Sequence, residues 1–192
     1  REPLSSGSVS ISRAAQTCLF PARFLLAAAM NPCPCGFSTD PDSNCVCDNR
    51  QISRYRQRLS GPLLDRIDLQ VHVPRLHPWE LAEKPAGESS ETVRERVVRA
   101  RNLQKHRNDP AGTILNANLS GKKIEQFCRI DAESQKMLIA AARRFTLSAR
   151  GYDKVLLIAR TIADLDESES IAATHLAEAL QYRTNGLFDH LS

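Results

Sequence analysis

"RFLLAAAMNPCPCGFSTDPDSNCVCDNR", residues 23–50, joins an unbroken apolar run to two Cys-x-Cys pairs. The run Phe24–Met30 predicts a fully buried central strand that delivers Asn31 to its carboxyl end. In open α/β sheets, ligand sites gather at that end of a strand, where an amide can position a water or a phosphate. The competing reading is an Asn that caps the turn before Pro32. Beyond it, Cys33 and Cys35 are separated from Cys45 and Cys47 by a loop of Pro, Asp, Ser and Asn. Four thiolates supply the ligand count of a tetrahedral structural zinc ion. Free thiols and disulfides are the alternatives. No histidine lies in the stretch to suggest a catalytic metal.

Composition sets the bounds around this stretch. A length of 192 residues is enough to bury a core, in one domain or two small ones. With 42% hydrophobic and 25% charged residues, the chain reads as soluble and globular. A net charge of +4 permits a nucleic-acid partner without demanding one, so clustering decides. Phe24–Met30 falls far short of the roughly 20 apolar residues that cross a bilayer, so no membrane partner is expected. "REPLSSGSVSISR" carries neither the apolar core nor the cleavage pattern of a signal peptide. The chain opens on Arg1 rather than Met, and the expectation is a piece of a longer cytoplasmic protein. In a reducing compartment, paired cysteines are more often metal ligands than disulfides. Cys18 and Cys128 stand alone and read as buried small hydrophobes.

Upstream, "GSVSISR" alternates Val9 and Ile11 with serines, the pattern of a half-buried strand. Downstream, residues 53–58 predict a short helix ended by Gly61-Pro62, and "DLQVHVP" predicts another strand. Residues 74–90, rich in Pro, read as a linker, set at 76–90. From Glu91 the pattern is helical. The first helix has a Ser cap and an apolar face of Val93, Val97, Ala100 and Leu103. A second opens on Asp131, and a third carries Val155, Ile158, Ala159, Ile162 and Leu165. Ser168 or Ser170 is expected to cap the last, whose Ile171, Leu176, Ala179 and Leu180 face inward. The fold class is therefore α+β, with a strand-containing part over 1–75 and an all-helical part over 91–192.

Two basic clusters stand out. Arg50, Arg54 and Arg58 are four apart and fall on one helix face, with Tyr55 and Arg56 among them. Arg94, Arg96, Arg99, Arg101, Lys105, His106 and Arg107 decorate the first helix of the second half. Either can track a phosphate backbone or form a solvated face offset by acids such as Glu91 and Glu95.

"REPLSSGSVSISRAAQTCLFPARFLLAAAMNPCPCGF" and "RYRQRLSGPLLDRIDLQVHV" resemble the magnesium-chelatase-like bacterial AAA+ ATPases of the ComM/YifB type. The likeness continues through "ESSETVRERVVRARNLQKHR" and "LSARGYDKVLLIARTIADL" and so covers nearly the whole chain. It implies the C-terminal part of an AAA+ α/β core, followed by a helical lid. By this resemblance Asn31 matches the sensor 1 residue that orients the attacking water, a task suited to an amide. Arg66, in "GPLLDRID", matches the arginine finger offered to a neighbouring subunit, where a planar, permanently charged fork is needed. Its bland alternative is an ion pair with Asp65 or Asp68. Arg150 matches sensor 2, a catalytic and nucleotide-binding contact; alternatively it is a solvated Arg placed unfavourably at a helix N-terminus. Arg13 lies near the tip of a hairpin that projects toward DNA in related hexameric helicases, and it joins Arg50, Arg54 and Arg58 as a candidate DNA contact.

The chain holds no G-x-x-x-x-G-K-[ST] and no acidic Walker B strand end. The resemblance places both before residue 1, so ATP and Mg2+ are expected only in the full-length protein, with this chain inactive alone. The implied assembly is a ring of identical subunits, a hexamer, acting on DNA by helicase or branch-migration activity. Two other functions stay open: the motor subunit of a metal chelatase, and a stand-alone zinc-stabilised module that binds nucleic acid.

Overall fold

The computed structural model describes residues 2–13, 16–76, 79–80, 87–109 and 111–184. The described chain separates into two compact units, residues 1–67 and 68–192. It is α+β, consistent with the C-terminal region of an AAA+ core plus a helical lid.

In the first unit, α1 (Glu2–Ser6) leads through Gly7 into an antiparallel hairpin of β1 (Ser8–Arg13) and β2 (Gln16–Pro21). Gly7 has φ +66°, the left-handed region that glycine enters without a Cβ clash. Register pairs Ile11 with Cys18 and Arg13 with Gln16. Cys18 lies on β2 and is exposed, against the expectation of a buried residue. On a two-stranded ribbon, neither face of β2 has a layer to be buried under.

Phe24–Met30 forms no strand. Its apolar side chains are open to solvent, Leu25 at 94%. "DLQVHVP" likewise carries no strand, and Val73 is 81% exposed. The reason is common to both: a strand is defined by a ladder, and no described strand lies beside either segment to complete one. The expected helix at 53–58 starts earlier, as α2 (Asn49–Arg56), because Asp48 caps it. The Asp48 carboxylate accepts from Gln51 N–H, and the Gln51 side chain accepts from Asp48 N–H. Gly61-Pro62 does not merely end this helix; it opens a second short one, α3 (Gly61–Leu64), where proline's missing N–H costs nothing.

The second unit is helical: α4 (Ser90–Asn108), a 3-10 turn at Asn116–Asn118, α5 (Lys122–Phe127), α6 (Ala132–Arg144), α7 (Ala149–Leu165) and α8 (Ala173–Thr184). Most of the expected linker, 77–78 and 81–86, lies outside the described residues. Helix α7 runs at the centre, burying Val155, Leu156, Ala159, Ile162 and Ala163 against Ile171, Leu176, Ala179 and Leu180 beside α8. Leu138, Ile124, Leu119 and Cys128 close the core, and burial pushes the Cys128 thiol up to about 11. Ser89 and Ser148 cap α4 and α7, each accepting from a backbone N–H three residues on. Neither Ser168 nor Ser170 caps α8. Instead, His175 Nδ1 accepts from Ala172 N–H at 3.0 Å, and the carbonyls of Ser168 and Glu169 accept from Arg160.

The inward face of α4 is not the expected apolar one. Ala100, Gln104 and Asn108 are buried, whereas Val93, Val97 and Leu103 stay largely exposed. A polar cluster sets this rotation. Asp164, 1% exposed, accepts from Arg107 Nη2 and Asn116 Nδ2, at 2.9 and 2.8 Å, and from Arg160 Nε at 3.1 Å. Asn116 Oδ1 also accepts from Arg107 and Asn108, and its N–H donates to Gln104. Asp164→Ala strips the only carboxylate among the described residues from the Arg160 guanidinium, whose side chain is 3% exposed. Loss of one partner of a buried pair costs about 3–5 kcal/mol, so the variant is expected to melt well below the parent in calorimetry. An unchanged melting temperature would contradict the network.

Asp131 caps α6 by accepting from Ser134 N–H at 2.7 Å. That bond holds its carboxyl below the ordinary 3.8. A depressed folded-state pKa means the cap's contribution is full above the unfolded value and is lost as pH falls through the folded one. Asp131→Ala is therefore expected to lower the melting temperature at pH 7 and to converge with the parent in acid, once pH has fallen through the depressed folded-state value below 3.8. Parallel melting curves at both pH values would count against this.

Candidate metal centre and basic helix

The residues between Asn31 and Asp48 have no helix or strand to order them. Order comes from turns and sulfur. Gly36 N–H donates to Cys33 O at 3.1 Å, closing a turn with Gly36 at φ +88°, open to glycine at little cost. This turn folds Cys35 back toward Cys33, and their Sγ atoms lie 3.3 Å apart. Cys45 Sγ sits 3.7 Å from Cys33 and 3.5 Å from Cys35. With Cys47, all four sulfurs lie within 4.8 Å of one another. Every one is a free thiol, which removes the disulfide alternative from this structure.

Zn–S bonds of about 2.3 Å give a thiolate tetrahedron edges of about 3.8 Å. The three separations among Cys33, Cys35 and Cys45 lie just below that figure, and Cys47 is within 4.8 Å of all three, so the donor set fits a small tetrahedral cation. Neighbouring groups tune the sulfurs. Cys33 is the buried member; burial pushes its thiol up, but hydrogen bonds from Cys35, Ser38 and Cys45 outweigh this and bring it to about 5. Phe37 N–H draws Cys35 down. The Cys47 backbone favours Cys45 thiolate, yet burial and the neighbouring Cys35 and Cys33 raise Cys45 overall. Burial and the same neighbours push Cys47 up to about 12. The physical content is simple: like charges at these distances cannot all form unless a cation sits among them.

Helix α2 braces the loop. Arg56 Nε donates to Pro32 O at 3.2 Å, and its Nη2 reaches Ser38 Oγ at 3.5 Å. Its outward face presents Arg50, Arg54 and Arg58, all exposed. Among the described residues these three make no ion pair. The second basic cluster is different: Arg96 pairs with Glu88, Arg99 with Glu167, and Arg107 with Asp164. Sequence reading could not separate the two clusters, because Glu167 and Asp164 lie far along the chain from their arginines.

The remaining candidates are placed as follows. Asn31 is exposed, and a Cβ on Gly36 would come within 3.8 Å of its amide nitrogen. Arg66 follows α3 and donates from Nη1 to Pro62 O at 2.6 Å; Asp68, one of its suggested partners, is engaged by Lys154. Arg150 is exposed in the first turn of α7. Arg13 is exposed at the end of β1; the hairpin tip, residues 14 and 15, lies outside the described residues. No described helix is long and apolar enough to cross a membrane.

Comparison with known proteins gives a consistent picture. Residues 1–81 match the family model for magnesium chelatase, subunit ChlI, and residues 87–183 match that for the ChlI C-terminal region. The chain is 45% identical over 184 residues to competence protein ComM of Haemophilus influenzae, covering 95% of this chain and 35% of that protein. It is 42% identical over 184 residues to the uncharacterized protein YifB of Escherichia coli, with the same coverage. An uncharacterized protein of Mycobacterium tuberculosis is 38% identical over 186 residues, covering 97% of this chain and 36% of its own length. The chain thus spans about a third of the length of the curated relatives it matches.

Proposed function

The chain belongs to the magnesium chelatase ChlI-like family, of the ComM/YifB type, and from that premise we propose that it is the C-terminal portion of a ring-forming AAA+ ATPase that remodels DNA. In this reading residues 1–75 complete the nucleotide-binding core, 76–90 link, and 91–192 form the lid. Asn31 serves as sensor 1, Arg66 as the arginine finger and Arg150 as sensor 2. The chain carries no Walker A motif, so in this reading it supplies neither the cradle for the phosphates nor the Mg2+ ligand, only groups that reach them. What it offers is donors: one amide and two guanidiniums. The 192 residues alone are expected to show no ATP turnover.

The four cysteines hold a structural zinc ion in this reading. All four tetrahedral positions are taken by sulfur, leaving none for water or substrate. When bound, the ion supplies charge that lets the four thiols ionise together and fixes the loop after Asn31.

One observation favours a DNA machine over a chelatase motor. Arg50, Arg54 and Arg58 stand together without carboxylate partners among the described residues, while on α4 Arg96, Arg99 and Arg107 are each paired with an acid. Uncompensated, clustered guanidiniums suit a polyanion. The name of the Haemophilus relative, a competence protein, points the same way. The test is ATP turnover by the full-length protein with and without DNA. Stimulation by DNA is expected; turnover indifferent to DNA, but altered by a metal-free tetrapyrrole together with a divalent cation, would favour the chelatase reading.

A further inference from the structure

The outward face of α2 and the cysteine loop enclose an open cleft of about 480 Å³, lined by Pro34, Cys35, Val46 and Cys47 on one side and Gln51, Arg54, Tyr55 and Arg58 on the other. Gln51, Arg54 and Tyr55 of the second wall lie on one face of α2, and Arg58 continues it from the turn just past the helix. The two walls differ in chemistry. Pro34 and Val46 give an apolar surface, and Val46 is 83% exposed despite being a large hydrophobe. Opposite stands the Tyr55 ring, with the Arg58 guanidinium 6.0 Å from its centroid. Arg54 and Arg58 border the cleft, and neither has an ion-pair partner among the described residues.

We propose that this cleft is a single-stranded DNA site, in which a base enters against Tyr55 and Val46 while Arg54 and Arg58 take the flanking phosphates. The proposal rests on the DNA reading above and names the groups that carry it. The occupant follows from the pairing of features. An acidic peptide would satisfy the arginines but leave the aromatic and apolar walls unused. A duplex offers phosphates but keeps its base faces stacked inside. A single strand offers both a π-face and a phosphate track, the combination met by aromatic platforms in basic grooves. The cysteine loop forms the far wall, so the metal proposed there would set the width of the cleft without touching the strand. Arg56 does not take part, since it faces the other way and holds Pro32 and Ser38.

The experiment is fluorescence anisotropy of the zinc-loaded full-length protein with a labelled oligothymidylate, across a salt series. Tyr55→Ala is expected to weaken binding about tenfold or more, and Tyr55→Phe, which keeps the ring, to bind like the parent. The double variant Arg54→Gln/Arg58→Gln is expected to weaken binding and to flatten the salt dependence by about 1.4, at roughly 0.7 per single-strand phosphate contact. Arg96→Gln/Arg99→Gln, which alters paired arginines on α4, is the control and is expected to leave affinity unchanged. Zinc content and melting temperature of each variant report whether the loop is intact. Parent-like binding by both Tyr55→Ala and the double arginine variant, in protein whose ATP turnover DNA still stimulates, overturns the cleft and leaves the DNA motor standing. Equal losses on duplex and single strand, or displacement of the oligonucleotide by polyglutamate at matched charge, also overturn it. No DNA binding by the parent removes both readings together.

Discussion

Arg66→Ala is expected to reduce ATP turnover of the full-length assembly by about a thousandfold or more, the range an arginine finger commands. The residue sits just past α3, a four-residue helix set by Ser60, Gly61 and Pro62. Its guanidinium reaches back to Pro62 O at 2.6 Å. That contact is to a carbonyl of its own short helix, and Arg66 lies outside the hydrophobic core of the second unit. The substitution should therefore leave folding nearly unchanged, which separates a lost function from a lost structure. Arg66→Lys is expected to recover little, because an ammonium cannot present a planar two-pronged donor. In the proposed reading the residue serves the neighbouring subunit. Mixing Arg66→Ala subunits with subunits disabled in their own nucleotide site should then restore part of the activity. Full turnover by Arg66→Ala would sink the assignment.

Loss of the cysteine cluster has the second largest expected effect, and it is local. Residues 31–48 contain no regular secondary structure, so four sulfurs, the turns at Gly36 and Asp40 and the Arg56 tether contribute to their order. Structural zinc contributes on the order of 10–16 kcal/mol of apparent binding energy in small domains. Outer-shell partners alone change metal affinity by about 10- to 100-fold, and removal of a thiolate exceeds that. Cys33→Ser is thus expected to drop bound zinc from one per chain to well under one, with rapid amide exchange throughout the loop. The helical signal of the second unit should persist, since its core is built from residues 114–182. Affinity should fall as pH is lowered, because protons compete with the cation for thiolates. Loading is expected to release protons, because the neighbouring thiols hold one another's ionisation back until the cation is present. Metal-free protein with an ordered loop would exclude the brace.

These two sites differ in how they could be read from the chain. Four cysteines in two tight pairs announce a ligand set because spacing limits where each sulfur can go, and the structure brings them together. Caps at Ser89 and Asp131 were legible for the same reason: the interaction spans three residues. Phe24–Met30 was not legible in this way. An apolar run is necessary for a central strand, but the ladder is made by neighbours, and none is present among the described residues. The inward face of α4 failed differently. Periodicity pointed to Val93, Val97 and Leu103, but Asp164, distant in sequence, recruits Arg107 and turns Gln104 and Asn108 inward. The roles of Asn31, Arg66 and Arg150 came from family likeness; their exposure or simple contacts here carry no signature of their own.

The buried cluster around Asp164 has an evolutionary corollary. Arg107, Asn116, Arg160 and Asp164 each satisfy groups on the others. A change at one strands the rest, so single replacements are disfavoured while concerted replacement by packed apolar side chains is not. Related chains should therefore keep all four or exchange them as a block. A double-mutant cycle between Arg107 and Asp164 should show strong non-additivity, with the second loss costing much less than the first.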